Sequence, residues 1–593
     1  MAVPSSNSRD QLPGLGDLTL QTMLWMLAIG WGAYLIGLGV YRLYIHPLAN
    51  VPGPKIAAIT QWYELYYDVW QSGQYFLKVE EFHKQYGTVR LYHINWAAML
   101  SLIKGPIVRI KPNEVHCNDP EFVDVLFAGP LQKRDKDPWL PRSVAVPLAT
   151  AGTIPHDLHR SRRAPLNPYF SKQSVRKREY IFQEILKKLL RRFEEHRETG
   201  AVLTLNEAIA AAATDIVASF CFGRSTDCTD RKDFSSPFFQ ALDKSFKLAH
   251  IMANFGLARA FMTFQPPQLV AWMTPALAPL FELHQVSFST EIWSSFMFII
   301  IFFFGKGILT ASQQWNSQIR NAKAPTEKHE TTIFNAIMEA KLPPFEKSFQ
   351  RLHQEAKLIV LAGFSTTGEY PPLYNPSSSI FTNQIFPAST VSPLIYELLA
   401  NPDKLNKLRT ELLQALPNPD SAMSLSELEK LPYLSAVIQE GIRMHPGGIL
   451  RMQRISPDKP LSYTDPCTGT TTTFPPGTSI SMDALSVNMN PDLFPNPSDF
   501  VPERWLESPQ LSRYLLSFSK GTRICLGINV AHCMLYYFVA GIFRNYGLPT
   551  EKDDPASSIE LYETERKRDV DVASEFIIPA VRKESKGIRV LLR

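Results

Sequence analysis

The stretch FSKGTRICLG, Phe518 to Gly527, sets one cysteine, Cys525, among glycines and directly before an apolar run from Ile528 to Phe543. Gly521 and Gly527 can take the backbone angles of a tight turn and let a flat molecule come close. Amides at the start of the following helix point toward the sulfur, and their partial positive charge favours the thiolate. Arg523 is placed to pair with a carboxylate of whatever the sulfur holds. Together these meet the needs of a cysteine that ligates a haem iron, with Arg523 on a propionate and Phe518, Gly521 and Gly527 shaping the bed. Thiolate ligation of haem favours O–O cleavage, so the chemistry in prospect is oxygen activation.

The complete pattern FxxGxRxCxG resembles the haem-binding loop of the cytochrome P450 family, and further stretches carry the same resemblance. Glu440 and Arg443 are spaced to share one face of a helix expected from Ser426 to His445. The segment Phe500–Trp505, FVPERW, resembles the family's PERF segment. The resemblance implies that Glu440, Arg443 and Arg504 form a buried network that braces the cysteine loop and takes no part in bond making. The segment HDLHRSRRAPLNPYFS, His156 to Ser171, resembles the family's third helix, marked by WxxxR. Counting back from Pro168 puts His159 at the tryptophan, a departure, and Arg163 at the arginine; both are implied propionate donors.

KLIVLAGFSTT, Lys357 to Thr367, resembles the central helix pattern AGx[D/E]T[T/S]. Thr366 would be the alcohol that relays protons to the distal oxygen, with Ala362 and Gly363 leaving the gap for oxygen. Ser365 stands where the family carries an acid, so proton delivery leans on water and hydroxyls. GGILRMQRISP, Gly447 to Pro457, would be the strand whose first residues line the substrate pocket, and the segment from Leu561 resembles the closing segment of fungal trichodiene-oxygenase-like enzymes.

The resemblance implies a mainly α fold with a small β region, the cytochrome P450 fold, preceded by one transmembrane helix. It implies haem b as cofactor and insertion of one oxygen atom from O2 into an apolar small molecule, a terpenoid or polyketide of fungal secondary metabolism. Electrons would come from NADPH–cytochrome P450 reductase, docked near Lys520. Two rivals stay open: a haem-thiolate isomerase or dehydratase that needs no reductase, and an inactive, mis-spliced haem-binding product.

The rest of the chain must position these residues. Of its 593 residues 45% are hydrophobic, enough for a large core, and its 46 prolines outnumber its 29 glycines, which suggests many rigid connections. A net charge of +5 without a dense basic block gives no support for nucleic-acid binding. Six cysteines without a CxxC pair indicate neither a zinc site nor a disulfide framework. Met23–Tyr41 is uncharged and mostly apolar, close to the roughly 20 residues that cross a bilayer. Arg42 and His46 follow it, so residues 1–22 face the lumen and the body faces the cytosol, with 42–56 as a Pro-rich hinge and 57–593 as the catalytic domain. The segment resembles the anchor of microsomal members, which implies a single-pass protein of the endoplasmic reticulum membrane.

Three stretches stand outside the resemblance: 88–105, 286–313 and 368–387. The last, GEYPPLYNPSSSIFTNQIFP, carries four prolines and breaks the central helix after Thr367. Gly368-Glu369-Tyr370 can be encoded with GTGAGT, Thr382-Asn383 with CTAAC, and Phe386-Pro387-Ala388 with TTCCAG: the start, branch site and end of an intron. Val286-Ser287 again permits GTGAGT, and Gln313 a terminal CAG. We read these stretches as retained introns; genuine surface insertions are the rival reading.

Overall fold

The computed structural model describes residues 20–86, 106–144, 146–234, 246, 248–256, 332–365, 390–417, 423–466, 468–549 and 557–593. The stretches 88–105, 286–313 and 368–387 lie outside the described residues, as does Thr366.

Leu20–Val40 (α1) is apolar on every face and runs on through a π turn, Tyr41–Ile45. Gln21–Ile45 is long and apolar enough to cross a membrane by length and composition, and its apolar window is not buried against the body. The chain after it is fastened down. Arg42 Nη1 donates to the Ile59 carbonyl at 2.6 Å, and Arg109 Nη1 donates to the carbonyls of Arg42 at 2.8 Å and Leu48 at 3.2 Å.

Two short helices, Trp139–Ser143 (α2) and His156–Arg163 (α3), lead into the helical body. The expected helix from His156 to Ser171 is split, because Pro165 starts a separate turn, Leu166–Tyr169. Glu179–Thr199 (α4) buries Ile181, Phe182, Ile185, Leu186, Leu189 and Phe193, one stripe at helical spacing. Leu205–Phe222 (α5) is buried on nearly all sides, which its run of alanines and aliphatics permits. After Ala249–Asn254 (α6) come Phe349–Ser365 (α7) and Val391–Ala400 (α8), both packed against α5. Pro432–Met444 (α9) starts later than Ser426, because Ser424 and Glu427 close a capping box on a separate turn and Pro432 opens the new helix. Ile528–Asn545 (α10) packs on α4, α8 and α9.

The β region is small. Ile107–Lys111 (β1), Glu114–Cys117 (β2), Asp135–Lys136 (β3), Arg454–Ile455 (β4) and Ser479–Ser481 (β5) form a sheet in the order β1-β2-β5-β4-β3. Only β2 and β5 run parallel within it. A hairpin of Ser574–Phe576 (β6) and Ile578–Ala580 (β7) turns at Ile577. The strand expected within Gly447–Pro457 shrinks to β4, after an irregular run through Arg451.

The largest core cluster draws on α4, α5, α8, α9 and α10, and Phe538 at its centre is fully buried. Phe538→Ala is expected to lower the free energy of unfolding by about 3–5 kcal/mol, through lost transfer energy and the cavity left behind, as read by denaturant titration.

Candidate active site

Local backbone geometry presents the Cys525 sulfur. Ser519 and Gly521 have φ of 58° and 66°, and a Cβ on Gly521 would lie 2.2 Å from the Phe127 carbonyl oxygen. Only glycine fits that turn. The Cys525 amide donates to the Phe518 carbonyl at 2.8 Å, closing the loop, and the Phe518 ring packs on His532 with centroids 5.3 Å apart. Gly527 departs from expectation: its φ is an ordinary −85°, and nothing lies within 4 Å of where a Cβ would stand. It leaves open space and takes no special angle.

Cys525 is exposed, yet desolvation by surrounding protein pushes its thiol pKa up, outweighing the Gly527 amide and the nearby Arg163. The expected bias toward thiolate is therefore reversed in the bare loop; a bound metal cation would restore it.

Behind the loop lies the expected brace. Glu440 is fully buried and accepts from Arg443 Nε at 2.9 Å and Nη2 at 2.8 Å, Arg504 Nε at 3.0 Å, the Val501 amide at 3.0 Å and Trp505 Nε1 at 2.9 Å. The link from brace to loop went unseen in the sequence. Asn488 Nδ2 donates to the Arg443 carbonyl at 3.1 Å and to Ser517 Oγ at 2.8 Å, while its Oδ1 accepts the Leu516 amide. Ser517 in turn donates to the Ile442 carbonyl at 2.7 Å. Asn and Ser in these contexts look like ordinary turn residues, so no sequence signal marks them.

On the open side of the loop sits a group of cations. Arg523 Nη2 donates to the Ile154 carbonyl at 2.6 Å, its Nη1 to the Thr153 carbonyl, and its buried Nε has no partner. Arg163 Nη1 donates to the Ile524 carbonyl at 2.6 Å, beside the cysteine. Lys136 and Arg454 face each other across β3 and β4. Like charges in that position repel. Lys136 Nζ donates to the Ala151 carbonyl at 2.7 Å and Arg454 Nη2 to Ser519 Oγ at 3.0 Å. Burial and mutual repulsion hold Lys136 well below its usual pKa, bring Arg454 to about 9, and push His159 down to about 2 through Arg523 and Lys136. Burial chiefly brings Arg523 to about 10. Among the described residues none of Lys136, Arg163, Arg454 and Arg523 forms an ion pair. A buried cation needs an anion, and the two carboxylates of haem b are anions of the right kind beside a free sulfur. The residues present therefore fit the group. Arg454 and Lys136 join the cluster unforeseen, since nothing in RMQR separates Arg454 from Arg451.

The next charges inward are balanced. The Thr153 hydroxyl accepts from Arg162 at 2.8 Å; Arg162 also makes a two-point pair with Glu346 at 2.7 and 2.8 Å. Arg351 reaches Glu346 at 3.3 Å and also Glu355, whose carboxylate accepts the Thr150 amide at 2.8 Å. This chain of pairs ties α7 to the segment that holds Arg523. On α7, Gly363 faces α5: a Cβ there would lie 2.9 Å from Val217 Cγ2, so its smallness serves helix packing. The described part of the helix runs to Ser365, and Thr366 lies outside the described residues.

Removing the carboxylate of Glu440 strands Arg443 in the core. Glu440→Gln is expected to cost about 3–5 kcal/mol of stability, with a lower haem-to-protein ratio after purification, as measured by denaturant unfolding and absorbance.

The family model described as Cytochrome P450 matches residues 59–286 and 387–565. Cytochrome P450 monooxygenase tpcC of Cochliobolus heterostrophus is 36% identical, with 97% of this chain and 98% of that protein covered. Monooxygenase astB of Talaromyces wortmannii is 35% identical over 97% and 99% of the two chains, and tryptophan 6-hydroxylase fscE of Fusarium equiseti 32% over 94% of each. Members of this family bind haem b through a cysteine thiolate. With its fold, its cysteine loop and its buried brace, the chain belongs to the fungal cytochrome P450 monooxygenases, oxidoreductases of secondary metabolism.

Proposed function

We propose that Cys525 would ligate the haem iron as a thiolate, that Arg523, Arg163, His159, Arg454 and Lys136 would hold the propionates, and that the hydroxyls of Thr366 and Ser365 would relay protons. The observation that carries this reading is the conjunction at one place: an exposed cysteine sulfur and, beside it, four buried or half-buried cations that form no ion pair among the described residues. Haem b supplies activation of O2 when bound. The protein's own part is to fix and insulate. Arg163 anchors the Ile524 carbonyl and so sets where the sulfur points; Gly521 prevents the loop from shifting against Phe127; the brace through Asn488 stops it from receding.

The substrate of this reading is an apolar small molecule of secondary metabolism, with a terpenoid or polyketide skeleton. NADPH–cytochrome P450 reductase supplies electrons, docking near the half-buried Lys520, whose ammonium already lies 3.5 Å from Asp124 on this face. The apolar Gln21–Ile45 helix supports a single-pass anchor in the endoplasmic reticulum membrane, with the body in the cytosol. Cys525→Ser is expected to abolish the thiolate-type carbon-monoxide band of the reduced protein; an unchanged spectrum in the variant would refute the assignment.

The stretches 88–105, 286–313 and 368–387 are read as additions to the family core. For 286–313 and 368–387 the support is that both lie in the gap of the family match between 286 and 387, and that α7 and α8 both pack against α5, as successive parts of one helical path would; the match runs on through 88–105. Sequencing transcripts across codons 360–395 is expected to reveal a shorter message that joins codon 367 to codon 388; a single abundant message that keeps all these codons counts against retained introns.

A further inference from the structure

A second buried polar cluster lies apart from the cysteine loop, and the reaction as read above does not use it. Lys111 Nζ pairs with Glu114 at 2.7 Å and with Glu64 at 3.2 Å, and Arg451 also pairs with Glu64. Ser481 donates to Glu114 at 2.7 Å. Deeper in the same group stands Asp68, which is 2% exposed and whose two carboxylate oxygens make no hydrogen bond of good geometry. A bare buried carboxylate is costly. Its close cation is His250 of α6: Nδ1 lies 3.2 Å from Asp68 Oδ2, and Nε2 lies 2.9 Å from the Glu575 carbonyl oxygen. Nε2 thus has a hydrogen-bond acceptor, while Nδ1 makes no hydrogen bond of good geometry and meets Asp68 as a charge partner, so the doubly protonated imidazolium is the form that both contacts favour.

Three elements meet at this ring, and a fourth borders the cluster. The π turn Tyr66–Trp70 brings Asp68, and α2 brings the Trp139 ring, 5.5 Å from the imidazole. β6 brings the Glu575 carbonyl and carboxyl groups and the Phe576 ring at 5.8 Å. The run after α9 brings Arg451, whose Nη1 is buried without a partner and whose charge acts on Glu575. The hairpin is also pinned at Gly73. The Glu575 amide donates to the Gly73 carbonyl at 2.8 Å, and a Cβ on Gly73 would lie 2.3 Å from the Glu575 carbonyl oxygen. At the hairpin tip Ile577 has φ of 75°, a left-handed angle that a β-branched residue adopts only when its surroundings hold it there. The Glu575 carboxyl accepts the Ile577 amide, and the Ile577 carbonyl lies 3.9 Å from where a Gly448 Cβ would stand.

We propose that His250, as an imidazolium shared between Asp68 and the Glu575 carbonyl, is a positioning residue that clamps the β6–β7 hairpin and α6 onto the body and so fixes the strained Ile577 tip against Gly448. The link to substrate rests on the reading of Gly447–Pro457 as pocket lining. Burial by itself lowers the His250 pKa, but Asp68 and Glu575 outweigh it and raise it to about 9. Glu575, packed among the same groups, is pushed up by burial and by Asp68. The sign follows: the clamp is complete below the ordinary histidine value of 6.5 and is lost as pH rises through about 9.

The test uses the full-length holoprotein and its His250→Gln and Asp68→Asn variants. Amide hydrogen exchange over 574–580 reads the clamp, and titration with 4-phenylimidazole, followed in the Soret band, reads the pocket. His250→Gln is expected to speed exchange about tenfold at pH 7, the loss of a charged hydrogen bond. The ratio to parent should fall toward one above pH 9, and azole affinity should weaken several-fold at unchanged haem content. Asp68→Asn keeps the imidazole and should move the pH midpoint of exchange from about 9 toward 6.5; it serves if the glutamine variant does not fold. Equal exchange at pH 7, or one pH profile shared by parent and Asp68→Asn, overturns the clamp. Faster exchange with unchanged azole affinity overturns the positioning role. Absence of haem from the parent itself overturns the assignment of the cysteine site, while the exchange measurement still decides the clamp.

Discussion

A carboxylate with no exposure, Glu440, receives five hydrogen bonds from Arg443, Val501, Arg504 and Trp505. Such a group tolerates no alternative arrangement, since each donor lost leaves charge uncompensated in the core. That intolerance gives the rest of the structure its reference point. Asn488 carries the fixed position of Arg443 to Leu516 and Ser517, and the Cys525 amide closes on Phe518 one residue later. The sulfur is thus located by a chain of hydrogen bonds that begins in another helix.

Charge is distributed unevenly around that point. Arg162 of α3, Glu346 of the turn before α7, and Arg351 and Glu355 of α7 cancel two against two. Beside the sulfur the cancellation stops: Arg523, Arg163, Arg454 and Lys136 lie close together and bond to carbonyl or hydroxyl oxygens. Neutral oxygens orient a cation but do not discharge it. The contrast between the two zones separates a structural network from a binding one, although both are equally rich in arginine.

Much of the site was legible because its parts are local. The cysteine loop is one contiguous stretch, Glu440 and Arg443 lie one helical turn apart, and Arg504 follows in a distinctive segment. Arg454, Lys136 and Asn488 were not legible, because their roles arise from strand pairing and loop contacts between distant parts of the chain. Two readings of glycine shifted for the same reason. Gly527 needs no unusual angle, and Gly363 answers to Val217 on a neighbouring helix, a contact that sequence cannot display. The helix from Ser426 resolved into a capped turn and a proline-started helix, a boundary set by Pro432 and the Ser424–Glu427 box. The mainly α fold with its small β region agrees with what the resemblance implies, and the apolar amino-terminal helix was legible from segment length alone.

The like charges opposed across β3 and β4 have a consequence for biogenesis. Lys136 and Arg454 oppose one another in the closed sheet, so an anion bound beside both would favour the closed pairing. A dianionic pigment that binds only the closed form draws the equilibrium toward it by mass action. On the proposed reading, loading of the pigment and closure of this strand pair would be linked steps.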